Sequence, residues 1–179
     1  VTLMNENYAQ PDLPAGAEGD VIRGCYKFAS YSRSSDEGYS LKSLKEITLL
    51  GSGAILTEVV KAAQLLVAQG VNVTVYSVTS WSELARDGRA CQHRQMAGDA
   101  SAPMPFIAQQ LQGSAGPIIA ATDYVCAVPE SVRAFLPVGR SYLTLGTDGF
   151  GRSDTRAALR GYFGVDAASI VRAALEQLA

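Results

Sequence analysis

The chain has 179 residues, of which 47% are hydrophobic and 18% charged, and its formal net charge at pH 7 is -2. That length supports one domain with its own core, and the composition excludes an intrinsically disordered chain. A nucleic-acid binder is excluded as well: fifteen Lys and Arg against seventeen Asp and Glu leave no basic stripe to displace counterions.

No apolar run approaches the roughly 18 residues of a membrane span. The opening residues also lack a basic segment followed by an apolar one, so the expectation is a cytoplasmic protein with no membrane partner. Cys25, Cys91 and Cys126 are odd in number and widely spaced, which points to reduced thiols and argues against a zinc site. His93 is the only histidine, so a two-histidine metal site is ruled out. The chain starts Val1-Thr2-Leu3 without Met, which suggests a processed product or a piece of a longer protein.

In chain order, residues 1–19 carry Asn5, Asn7, Pro11, Pro14, Gly16 and Gly19 with little apolar periodicity. They read as a linker or arm, leaving 20–179 as a single α/β domain. The alternation across 21–28 predicts a strand. The Ser-rich stretch 30–43 reads as a surface loop. Ile47 to Leu50 is a short apolar strand, followed by Gly51-Ser52-Gly53 and a helix. In that helix Ile55, Leu56, Val59, Val60, Ala63, Leu66 and Val67 form one apolar face. Ser52 is a plausible N-cap and Gly70 a plausible C′ residue. Val71, Val73, Val75 and Val78 form the next strand, which completes a βαβ unit.

Residues 79–95 are dense in polar groups and read as an exposed, irregular connection. Helices are expected over 105–111, 129–136 and 167–178, the last capped by Asp166. Strands are expected over 118–121 and 142–145. The sum is an open, mostly parallel sheet with helices on both faces.

Four stretches could carry chemistry. "LLGSGAIL" sets a Gly-rich turn between strand and helix, where backbone N–H groups can meet phosphate. It lacks the third glycine of a dinucleotide fingerprint and the Lys-Ser/Thr of a P-loop, so a tight turn explains it better. Cys91 and His93 lie two apart with Arg89 and Arg94 nearby, a spacing that does not align two side chains on one helix face. Asp123, after the strand at 118–121, could face a ligand but reads more simply as a turn residue.

The fourth stretch is "LGTDGFGRSDT", residues 145–155. Its glycines Gly146, Gly149 and Gly151 allow positive φ and close backbone approach. Ser153 and Asp154 are candidate N-caps for a helix starting near Thr155, and Phe150 is expected as a buried plug. A helix N-terminus beside Arg152 and Arg156 could also hold an anion or a neighbouring domain. The candidate anion or interface set is therefore Asp148, Arg152, Ser153, Asp154 and Arg156.

Together "TLMNENY", "LLGSGAIL", "VYSVTSWSELARDG", "TDYV" and "LGTDGFGRSDTRAALRGYFGVDAASIV" resemble the carboxyl-terminal domain of the homodimeric bacterial pyruvate dehydrogenase first component. The resemblance covers almost the whole chain. Related transketolase domains share a looser FG-x-S pattern, matched by Phe150, Gly151 and Ser153. The resemblance implies a three-layer fold around a five-stranded mixed sheet, mostly parallel with the first strand antiparallel. It also implies that the full enzyme uses thiamine diphosphate and magnesium, decarboxylates pyruvate and acetylates lipoyl groups. The implied partners are other domains of the same chain, a homodimer partner and the dihydrolipoyl acetyltransferase core. The family's diphosphate signature, Gly-Asp-Gly followed by Asn-Asn, is not met: "TDGFG" lacks the first glycine and Asn-Asn does not occur. The expectation is thus an interface domain without catalytic residues or cofactor of its own, inactive alone. The alternative is a free-standing regulatory module that binds an anion or effector.

Overall fold

The computed structural model describes residues 7–9, 11–32 and 45–179. In chain order these form α1 (Glu18–Arg23), β1 (Cys25–Tyr31), β2 (Lys45–Ser52), a 3-10 turn (Gly53–Ile55), α2 (Leu56–Ala68), β3 (Val71–Val78), α3 (Trp81–Met96) and α4 (Phe106–Leu111). Then follow β4 (Ile118–Ala121), α5 (Ala127–Glu130), a second 3-10 turn (Arg133–Phe135), β5 (Tyr142–Leu145), α6 (Arg156–Phe163) and α7 (Ala167–Gln177). The strands form one five-stranded sheet, ordered β1-β3-β2-β4-β5. β1 pairs antiparallel with β3, and every other pairing is parallel. This is the mixed sheet that the resemblance implied.

The two faces of the sheet sort by the period of two. Leu49, Val73, Val75, Ile119 and Ala121 face α2 and α7, where Val59, Ala63, Leu66, Ile170 and Ala174 complete a core. Their alternates Leu50, Tyr76, Ile118 and Ala120 face α3 and α4, packing on Leu84, Phe106, Ile107 and Leu111. β2 is buried from Ile47 to Ser52 on both faces. Helices cover this strand on both sides, so its buried residues are mostly apolar, and the buried hydroxyls of Thr48 and Ser52 are hydrogen-bonded.

Several elements depart from the sequence reading. Val21 to Arg23 belong to α1, and the strand begins only at Cys25. Gly24 separates the two at φ 102, and its N–H bonds to Asp20 and Val21 carbonyls end the helix. Ile22 is 80% exposed, so the alternation that suggested a strand did not report burial. Most of residues 79–95 fall in a 16-residue helix, α3 (Trp81–Met96), with Ser80 as N-cap accepting from the Glu83 N–H. Gly88 and the polar run hid it. The expected helix over 129–136 divides into α5 and a 3-10 turn. Pro129 sits in the first turn of α5, where its missing N–H costs nothing. Most of the stretch 30–43 lies outside the described residues.

The remaining elements follow local rules. Gly70 has φ 82 just past α2, as a C′ glycine should. Asp166 caps α7 by accepting from the Ser169 N–H at 3.0 Å. Ser52 does not cap the helix after it with its side chain; its hydroxyl donates instead to the Thr122 hydroxyl at 2.7 Å. That bond ties the ends of β2 and β4.

Candidate site at the carboxyl edge of the sheet

The parallel strands β2, β3, β4 and β5 all end at one edge. The loops that leave them carry Ser52–Ala54, Thr79–Ser82, Thr122–Cys126 and Gly146–Thr155. In open α/β sheets this edge is where side chains converge on ligands.

The loops after β4 and β5 are fastened together. Thr147 donates its N–H to the Tyr124 carbonyl at 2.9 Å and its hydroxyl to the Asp123 carbonyl at 2.7 Å. The Asp148 carboxylate accepts the Cys126 N–H at 3.2 Å. Gly146 permits the contact, since a Cβ there would stand 2.6 Å from the Tyr124 carbonyl oxygen. Gly149 is the glycine of this loop that uses positive φ, at 100°.

Thr155, not Ser153 or Asp154, is the N-cap of α6, its hydroxyl accepting from the Ala158 N–H at 3.3 Å. Asp154 accepts from the adjacent Thr155 N–H at 2.7 Å. Phe150 is 95% exposed, so the expected buried plug is corrected to a projecting ring. Glycines on both sides let the loop turn outward, and no described element reaches over it.

Arg152 stacks its guanidinium 3.9 Å from the centre of the Tyr162 ring, a favourable cation–π contact. Arg156 and Arg160 stand one turn apart on α6, with guanidinium carbons 5.6 and 5.9 Å from the ring centre of Tyr8 in the arm. Arg160 pairs with Glu58 of α2 at 3.0 Å. These three arginines line one cavity of about 280 Å³ with Asp123, Phe150 and Leu159. Ser153 and Asp154 line a separate hollow beside Tyr162. The edge therefore gathers Arg152 and Arg156 but leaves Asp148 engaged on Cys126. The sequence reading missed Arg160, although its position four residues after Arg156 was a usable signal. Glu58 left no signal of its contacts with Arg160 and Ala167, which come from 102 and 109 residues away.

A larger cavity of about 890 Å³ adjoins along the β2 end of the edge. Tyr8, Pro11 and Leu13 of the arm form one wall, and Ser52, Ser80, Trp81 and Tyr124 others. Asp123 and Ala54 line both cavities.

Cys91 and His93 do not form a nucleophilic pair. Cys91 is buried on α3 while His93 is exposed, so the two do not meet. Burial first, and the Asp87 carboxylate second, push the Cys91 thiol above its usual range. Among the described residues, no group of three or more His, Cys, Asp or Glu could hold a metal ion. Among the described residues, no helix is long and apolar enough to cross a membrane.

Sheet order, the single antiparallel edge strand and the fastened carboxyl-edge loops define an α/β domain of the transketolase carboxyl-terminal type. A family model described as the transketolase-like TK C-terminal domain matches residues 34–166, and the chain belongs to that family. Solved transketolases from Leishmania mexicana and Campylobacter jejuni share the fold, each with a TM-score of 0.53. The first is 21% identical and covers 91% of this chain and 19% of its own; the second is 20% identical and covers 88% and 19%. The whole chain also aligns with the pyruvate dehydrogenase E1 component of Escherichia coli K12 at 44% identity, and with that of Cupriavidus necator at 42%. The Mycobacterium tuberculosis protein of that name is 41% identical. The chain spans about a fifth of the length of these curated relatives, 19% of the first two and 18% of the third, in their carboxyl-terminal portion.

Proposed function

We propose that this chain serves as the carboxyl-terminal domain of a pyruvate dehydrogenase first component and acts by contact, not by chemistry. The observation that carries the reading is 44% identity across the entire chain to such an enzyme. In the full enzyme, thiamine diphosphate and magnesium supply the decarboxylating chemistry from domains other than this one. Pyruvate is the substrate, and lipoyl groups on the acetyltransferase core accept the acetyl unit. The setting is the cytoplasm.

The role as an interface is supported by the carboxyl edge. Phe150 is 95% exposed, Tyr162 60%, Tyr124 58% and Val125 44%. Large apolar side chains grouped on one surface mark a contact site. Their partners in this reading are other domains of the same enzyme and the second subunit. Sedimentation of the chain across a concentration series tests it. Self-association that Phe150→Asp abolishes supports the role, and a strict monomer at all concentrations counts against it.

A second reading, a module that binds an anion or effector, is favoured by one observation: Arg152 and Arg156 line the same cavity. The two readings are compatible in one chain.

A further inference from the structure

We infer that the carboxyl-edge crevice binds a phosphate ester bearing free hydroxyl groups, with Arg152 on the phosphate and Asp123 on the hydroxyls. This deepens the anion-binding reading above and rests on it.

The first support is position. β3 follows β2 on one side of the sheet, while β4 lies on the other, so the order of the strands reverses between β2 and β4. Doubly wound sheets open a crevice at that reversal, beyond the carboxyl ends of the strands. Here the crevice is lined by Ser52, Gly53 and Asp123, and Ser52 donates its hydroxyl to Thr122 at the end of β4. Gly53 has φ 55, and a Cβ placed there would lie 3.6 Å from the Asp123 carboxylate. The carboxylate thus borders a bare stretch of backbone.

The second support is charge. Among the described residues, no hydrogen bond or ion pair engages the Arg152 guanidinium or the Asp123 carboxylate, and the two do not pair with each other. Tyr162 holds the Arg152 guanidinium carbon 3.9 Å from its ring centre, a contact that uses none of the N–H groups that can fork onto an oxyanion. Arg156, the first residue of α6, lines the same cavity. A carboxylate bordering this cavity would repel a bare anion. A ligand that is anionic at one end and donates hydrogen bonds at the other satisfies both groups. A phosphate ester with free hydroxyls has that chemistry.

The third support is room. The cavities of about 280 and 890 Å³ meet at Ala54 and Asp123. The arginines line the smaller. Hydroxyls of Ser52, Thr57, Thr79, Ser80 and Ser82 line the larger, beside apolar Pro11, Leu13 and Trp81. A polyol phosphate or a nucleoside monophosphate both present the required ends, and the larger cavity has space for a base.

Calorimetry on this chain tests the inference with glycerol 1-phosphate, adenosine 5′-monophosphate, inorganic phosphate and glycerol as probes. We expect at least one ester to saturate, about tenfold or more tighter than inorganic phosphate or glycerol. Asp123→Asn and Arg152→Lys should each weaken that binding about tenfold while leaving the melting temperature unchanged. Binding of the nucleotide alone assigns the larger cavity to a base; binding of both esters assigns recognition to the ester end. Equal affinity for inorganic phosphate, indifference to Asp123→Asn, or no saturation below about 10 mM would overturn the inference. Any of these leaves the interface reading standing, since that reading rests on sequence identity and on Phe150, not on Asp123.

Discussion

Arg160 of α6 reaches Glu58 of α2 at 3.0 Å, and the other oxygen of the same carboxylate accepts the Ala167 N–H at the start of α7. Glu58 is 7% exposed and also accepts from Lys61 at 2.9 Å. One buried carboxylate thus joins three helices. Glu58→Ala leaves a largely buried guanidinium without its counter-charge and an orphan N–H at a helix start. The expected loss is about 3 kcal/mol of unfolding free energy, read by urea denaturation. A loss under about 1 kcal/mol would mean that solvent replaces the carboxylate.

Gly88 lies in the middle of α3, and a Cβ there would stand 2.3 Å from the Phe135 ring. Gly88→Ala gains about 1 kcal/mol of helix propensity but must displace a packed aromatic, which costs about 1–3 kcal/mol. Net destabilisation is the expected outcome. Phe135→Leu in the same chain should recover part of it, because a smaller side chain frees the space. Additive losses in the double variant would show that the two sites do not couple.

These residues also mark where the sequence was readable. Strands β4 and β5 match their expected bounds, Ile118–Ala121 and Tyr142–Leu145, because short, largely apolar runs between turn residues have few other uses. The Asp166 cap was readable because capping is local. α3 was not: Gly88 signals a breaker until Phe135, 47 residues on, is known to need the space. Phe150 was misread for the same reason in reverse, since its type suggested burial and only tertiary structure shows what would cover it. Of the candidate site, Arg152 and Arg156 were accessible from the motif. Asp123 gained its place only when β4 came to lie beside β2.

Asp99 gives the end of α3 a dependence on pH. Hydrogen bonds from the Ser101 hydroxyl, then from Arg94, then from the Ser101 N–H hold its carboxyl down at about 2. A carboxyl near 3.8 when unfolded and near 2 when folded stabilises the folded form above pH ~4. That contribution is lost as the pH falls through about 2. A carbon-detected NMR titration should place the Asp99 midpoint well below those of exposed aspartates. Asp99→Asn should remove the acid-induced loosening around Gln95 to Ser101. A midpoint near 4 would contradict the assignment.

The three thiols should be slow nucleophiles. Burial is the first cause of the upward push on each, reinforced by Asp20 at Cys25, Asp87 at Cys91 and Asp148 at Cys126. Raised thiols hold little thiolate at pH 7. Aromatic disulfide reagents should modify half-buried Cys126 first, and more slowly than a free cysteine. Cys126→Ser should then abolish the early phase. Any thiol reacting at the free-cysteine rate would refute the account.

The proposal that this domain works by contact is tested most directly by presenting the purified chain with thiamine diphosphate, magnesium and pyruvate together. Calorimetry would follow cofactor uptake while released carbon dioxide is measured. The account predicts no saturable cofactor heat and no carbon dioxide above the protein-free control. Saturable cofactor binding accompanied by decarboxylation would contradict it.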